Sequence, residues 1–254
     1  MQVYQTISQQ TAPPDEIDWD AIITEDDTPV DNYKTEHQYP LLTVPVNDNF
    51  VHSIYGKRFI VASDVGVFFA PKEPPIVPDV FLSLGLRIAP DQRQKSNRSY
   101  FIWETGKPPE VVIEIVSNQE GGEDSAKLVR YARIGVKYYA IYDPLHELSD
   151  ATLRFFVLRD RRYVEMIDTW MPEVELGLTL WNGEYRGYED EWLRWCDKNG
   201  QVIPTSAEMF LQEKVRSERA IERAEQERER AEQERERADR LAARLAALGV
   251  TDVD

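Results

Sequence analysis

The sequence predicts an α/β domain built on a mixed β-sheet, followed by a charged C-terminal helix. Three observations predict it. Short apolar segments bounded by turn residues recur from Tyr39 to about Leu211 and outnumber the helical patterns. Residues 111–143 read strand–helix–strand, the crossover that parallel neighbours in a sheet require. Beyond Leu211 the chain changes in kind and repeats ERAEQER at 222–228 and 229–235.

The elements follow in order. Residues 1–38 are rich in Pro, Asp and Glu and read as an acidic N-terminal arm, with a short helix around Asp18–Ile23. FIVASDVGVFFA (59–70) reads as two short strands or one bent at Gly66, and VPDVFLSLG (77–85) as a strand ended by Gly85. A polar loop at 88–99 carries Arg93, Lys95 and Arg98, a set that suits a phosphate backbone or a solvated loop. YFIWE (100–104) is a strand, TGKPP (105–109) a turn, and VVIEIVS (111–117) a strand. Next comes a helix capped by Asp124 or Ser125. Its Lys127, Leu128, Tyr131 and Ile134 recur at helical spacing, and Gly135 closes it.

KYYAIYDP (137–144) is the following strand, stopped by Asp143-Pro144. Residues 153–166 form a hairpin around Asp160-Arg161. LGLTLWNGEY (176–185) is expected to turn at Asn182-Gly183, and EDEWLRWCD (189–197) to form a short aromatic helix. Trp170, Trp181, Trp192 and Trp195 are assigned to the second half of the core. Three units result: the arm at 1–38, the domain at 39–211 and a charged helical tail at 212–254. In the tail, one heptad position holds Ala224, Ala231, Ala238 and Leu245, and the position three further on holds Glu227, Glu234, Leu241 and Leu248. An apolar seam therefore forms only at the end, which suits a solvated helix with a sticky tip or a coiled coil.

Composition bounds the function. Apolar residues make up 42%, enough for a core, and no apolar run is long enough to span a membrane. The N-terminus has neither a basic patch nor an apolar stretch, so no secretory signal is expected and the compartment expected is the cytoplasm. One cysteine, Cys196, excludes an internal disulfide, and three histidines argue against a Cys/His zinc cluster. The net charge is −16. Glu213 to Arg244 contains ten acidic and ten basic residues and is neutral; with Asp252 and Asp254 set aside, residues 1–212 hold 34 acidic and 20 basic residues, about −14. Such a body repels a polyanion at long range, although bound metal ions reverse the sign locally.

Two carboxylates stand out. In VVIEIV, Val112, Glu114 and Val116 share one face of the strand, so Glu114 is either buried and paired, buried on a metal, or exposed on an edge strand. Asp79 after Pro78 is either a strand-start turn or a second ligand, and Lys127 is either solvated or aimed at both acids. His52 and His146 have no partner at ligand spacing.

Through PD at 78–79, EVVIEIVS (110–117), Lys127 with Tyr131, and GVKYYAIYDP (135–144), the chain resembles the Uma-two family of restriction endonucleases in the PD-(D/E)XK nuclease superfamily. The likeness covers about residues 60–145, and the tail ending LAARLAALGV is similar to the C-termini of many relatives. It implies a restriction-endonuclease-like mixed sheet flanked by helices, with Asp79, Glu114 and the backbone carbonyl of Ile115 as ligands of Mg²⁺ or Mn²⁺. The superfamily pattern wants a lysine where this chain has Val116; Lys127 is the candidate to reach back from the helix. The implied activity is metal-dependent hydrolysis of phosphodiester bonds with DNA as the partner, catalysed by Asp79, Glu114 and Lys127. A reading of another class is a catalytically inactive nuclease-fold scaffold that assembles through its tail, as a homodimer or on a partner protein.

Overall fold

The computed structural model describes residues 32–50, 59–70, 73–88, 91, 93, 97–117 and 122–247. The helix expected around 18–23, His52 and Lys95 lie outside these residues.

Helix α1 (Tyr33–Val44) opens on Asn32, whose side chain accepts the Thr35 N–H at 2.9 Å. Its Thr35, Gln38, Leu41 and Leu42 are buried, three or four residues apart along one face. The expected boundary between arm and domain at 38/39 falls inside this helix, as the one at 211/212 falls inside the last helix. Strands β1 (Phe59–Ser63), β2 (Val67–Phe68), β3 (Val80–Leu84) and β4 (Tyr100–Phe101) follow, with the chain breaking between β1 and β2 at Asp64, a residue with φ of 53°. After β4 the backbone turns into a short helix, α2 (Ile102–Thr105), so the strand expected over 100–104 is only two residues long. Thr105 folds its hydroxyl back onto the Phe101 carbonyl and Gly106 closes the turn in the left-handed region.

Strand β5 (Val111–Ile115) leads into a π-helical turn (Glu123–Lys127) and helix α3 (Leu128–Ile134), then β6 (Tyr138–Tyr142), β7 (Leu153–Arg159) and β8 (Arg162–Met166). The helix begins before the expected caps, on left-handed Gly122, and ends as expected on left-handed Gly135. The main sheet runs β1-β3-β5-β6-β7-β8. In this sheet, among the described residues, β5 and β6, joined across α3, are parallel and the other pairs antiparallel, while β2 pairs in parallel with β4 outside it.

The region expected as a turn and an aromatic helix is one long hairpin, β9 (Gly177–Tyr185) against β10 (Tyr188–Cys196). The turn sits at Arg186-Gly187, both with positive φ, as tight hairpins demand. Asn182 and Gly183 lie inside β9, paired to Glu191 and Asp190. Gly183 is there because the Trp181 ring occupies the space a Cβ would fill. Trp192 and Trp195 are buried as expected, while Trp170 and Trp181 are only half-buried.

Side-chain alternation in β5 separates two cores. Val111, Ile113 and Ile115 join a cluster with Leu42, Leu193 and Trp195, so α1 and the β9–β10 hairpin cover that face. Val112 and Val116 join Phe81, Tyr131, Tyr139 and Phe156 on the face covered by α3. Helix α4 (Ser206–Ala247) ends the described chain.

Candidate functional site

Glu114 is on the α3 face of β5, which has β3 on one side and β6 on the other, so it is not on an edge strand. Its side chain is 0% exposed, a burial that a carboxylate tolerates only with partners. Tyr131, one helical turn beyond Lys127, donates to Oε1 at 2.5 Å, and the Lys127 ammonium donates to Oε2 at 2.9 Å. Among the described residues no arginine takes part.

Asp79 immediately precedes β3. The ladder between β3 and β5 stops at Val80 and Ile113, which frees the edge of β5 beyond it. The Asp79 carboxylate fills that gap: Oδ2 accepts the Ile115 N–H at 2.6 Å, replacing a strand partner. In an extended strand the N–H and C=O of one residue point to the same side, so the Ile115 carbonyl shares this edge with Asp79. The other oxygen, Oδ1, accepts the Tyr39 hydroxyl at 3.1 Å.

Lys127 lies between Glu114 and Glu123, with its Nζ 2.9 Å from each, rather than between Asp79 and Glu114. The structure thus brings Asp79, Glu114, Ile115 and Lys127 together. Two further residues join them that the sequence reading missed. Glu123 is four residues before Lys127, the spacing of a helical Glu–Lys pair, and that signal was available. Tyr39 arrives from α1, forty residues before Asp79, with no local signal.

The charges are strongly coupled. Burial, and next the negative charge of Glu114, push the Asp79 carboxyl well above the ordinary carboxylate range. Burial also pushes Glu114 up, against the opposing pull of the Lys127 charge and the Tyr131 hydroxyl. For Lys127, burial alone would push the ammonium down; Glu114 and Glu123 outweigh it and hold the group above its usual range, fully protonated at neutral pH. Burial and the Glu114 charge raise Tyr131, which stays a hydrogen-bond donor.

Asp79 feels the negative charge of Glu114, and Glu114 that of Glu123, so the acids outnumber the one ammonium among them; their hard oxygens suit a divalent cation. Among the described residues no three His, Cys, Asp or Glu side chains gather as a metal-binding set. Two carboxylates and a backbone carbonyl could hold an ion whose other positions are left to water, a donor set of the kind Mg²⁺ takes.

Arg93 and Arg98 belong elsewhere. They follow the far end of β3, where the Arg98 guanidinium donates to the Arg93 carbonyl at 2.7 Å. The ring of His146, another residue without ligand spacing, donates Nδ1–H to the Ser149 carbonyl at 3.3 Å. Among the described residues no helix is long and apolar enough to cross a membrane.

No curated protein matches this chain. Among solved structures, a crystal structure of a "putative nuclease belonging to DUF820" from Anabaena variabilis ATCC 29413 matches it with 16% identity, covering 56% of this chain and 72% of that one, at a TM-score of 0.38. Residues 33–182, a span that includes Tyr39, Asp79, Glu114, Glu123 and Lys127, match the Uma2 family, described as "putative restriction endonuclease", and the chain belongs to that family.

Proposed function

We propose that this protein is a metal-dependent endonuclease that hydrolyses phosphodiester bonds in DNA. The observation that carries the reading is the approach of Asp79 to the strand of Glu114, where its carboxylate takes the N–H of the next residue, Ile115, at 2.6 Å, with an ammonium 2.9 Å from Glu114. Membership of a restriction-endonuclease family supports a nuclease activity; the metal and the DNA substrate are the proposal's own.

In this reading Asp79, Glu114 and the Ile115 carbonyl hold Mg²⁺ or Mn²⁺. When bound, such an ion polarises the scissile phosphate and lowers the pKa of a water beside it. The protein's own groups do the rest. Asp79 locks the free edge of β5 through the Ile115 N–H, so that the carbonyl and both acids keep one geometry. Tyr131 holds Glu114 in its rotamer, and Tyr39 does the same for Asp79. Lys127, protonated at neutral pH, puts a fixed positive charge where negative charge builds up on the phosphoryl oxygens. One water is consumed: its oxygen bonds to phosphorus, the bond from phosphorus to a sugar oxygen breaks, and that oxygen leaves with a proton.

Calorimetric titration with Mn²⁺ and a plasmid-nicking assay test this on wild type and Glu114→Ala. Binding and nicking that both disappear in the variant support the site. Binding without nicking points to a missing partner, another substrate or a lysine out of place, and a wild type that binds no ion rejects the metal site and favours the scaffold reading. Helix α4 is proposed as an assembly element outside the catalytic domain, pairing with a second copy along the Ala224, Ala231, Ala238 and Leu245 stripe.

A further inference from the structure

Glu123 is only 5% exposed, and its Oε2 is buried with no hydrogen-bond partner among the described residues. Buried carboxylate oxygens are nearly always satisfied, so a bare one beside an ammonium needs an account. The backbone is built to hold it there. Gly122, at a φ of 70°, opens the π-helical turn; its carbonyl accepts the Lys127 N–H at 2.9 Å. The Tyr139 hydroxyl, from β6, fixes the carbonyl of Glu123 itself at 2.8 Å. Glu123 and Lys127 thus reach toward one spot from a turn anchored at both ends.

Lys127 has two equal partners, Glu114 Oε2 and Glu123 Oε1, each at 2.9 Å. A cation arriving at Glu114 competes with the ammonium for the same oxygen. With Glu114 as its only partner, the lysine would be displaced as the metal entered.

We propose that Glu123 is the positioning residue for Lys127: it retains the ammonium beside Glu114 when that carboxylate turns to a cation, and its spare oxygen accepts the hydrogen bond that Glu114 gives up. The catalytic meaning rests on the proposed metal site, but the anchoring itself can be read without metal or substrate.

The test is competitive acylation of lysine amines on the full-length, metal-free protein, read by peptide mass spectrometry with exposed Lys198 as the reference. Wild type, Glu114→Gln, Glu123→Gln and Glu123→Asp are compared. Lys127 is expected to react about tenfold more slowly than Lys198 in wild type and Glu114→Gln, and nearly as fast as Lys198 in Glu123→Gln. Protection unchanged by Glu123→Gln, or lost equally in Glu114→Gln, overturns the proposal. Lys34, paired with Asp190 at 2.8 Å, reports whether each variant is folded. If Glu123→Gln unfolds, Glu123→Asp decides: the shorter acid leaves Lys127 faster to react than in wild type, and wild-type protection overturns the idea. With Mn²⁺ and plasmid, Glu123→Gln is expected to lose about tenfold in kcat at unchanged KM. A wild type that does not nick rejects the nuclease reading while the labelling result stands. A wild type that nicks no faster than Glu123→Gln overturns the anchoring role alone.

Discussion

Asp79 and Glu114 keep their protons to higher pH in the folded protein than in the unfolded chain. The stability that depends on them is therefore complete below the unfolded carboxylate range, at about pH 4, and is lost as pH rises through their folded values. The metal-free protein is expected to become less stable as pH rises above the ordinary carboxylate range, and Asp79→Asn to flatten that decline and raise Tm on its high-pH side by a few degrees. Thermal denaturation in chelator checks this; an equal decline in the variant would count against it. Because the acids take a cation only as carboxylates, Mn²⁺ affinity is expected to rise with pH over the same range. Calorimetry in buffers of different ionisation enthalpy should find proton release on binding, and its absence would mean the carboxylates were already ionised. Asp79, Glu114 and Lys127 were legible in the sequence because an acid after Pro78, an acid inside an apolar strand and a lysine in the next helix are each unusual in that setting. Glu123 was hidden by ordinariness, since Glu–Lys pairs at that spacing cover the surfaces of many helices.

Among the elements, α1 is tied to the hairpin through one side chain. Gln38, fully buried, donates to the Leu193 carbonyl at 2.7 Å and accepts the Leu193 N–H at 3.0 Å. Gln38→Leu leaves both backbone groups buried and unpaired, at about 1–3 kcal/mol each. Urea denaturation is expected to lose about 2–5 kcal/mol, and a loss under about 0.5 kcal/mol would mean that water repairs the gap. The sheet was legible through its apolar segments and the parallel pair through the crossover at 111–143. The β9–β10 hairpin was not. Trp192 and Trp195 are three apart, which fits one helical turn, and in so short a segment nothing local separates that from a strand buried along its end. Pairing with β9 decides it. Asn182-Gly183 misled for a related reason, because Gly183 serves the Trp181 ring rather than a turn.

At the scale of the molecule, α4 is exposed along its length and carries its own pairs, Lys214–Glu218 and Glu236–Arg240 among them. Removing residues 212–254 is expected to leave the domain's Tm within about 2 °C, since little apolar area is uncovered. Sedimentation of full-length and truncated protein tests the pairing of tails: a lighter species on truncation supports it, and a monomer in both removes it. The root of α4 is another matter. Arg194, fully buried in β10, grips Glu208 at 2.7 Å and lies over the Trp181 ring. From β10 the hydrogen bonds continue through Leu193 and Gln38 to α1, where Tyr39 holds Asp79. A rod of 42 residues, about 63 Å long, is thus bolted at its base to the same framework that aims a carboxylate. Mechanically this is a lever with a long outer arm and a short inner one. A sideways load on its outer length would bear first on the Arg194–Glu208 grip at its base.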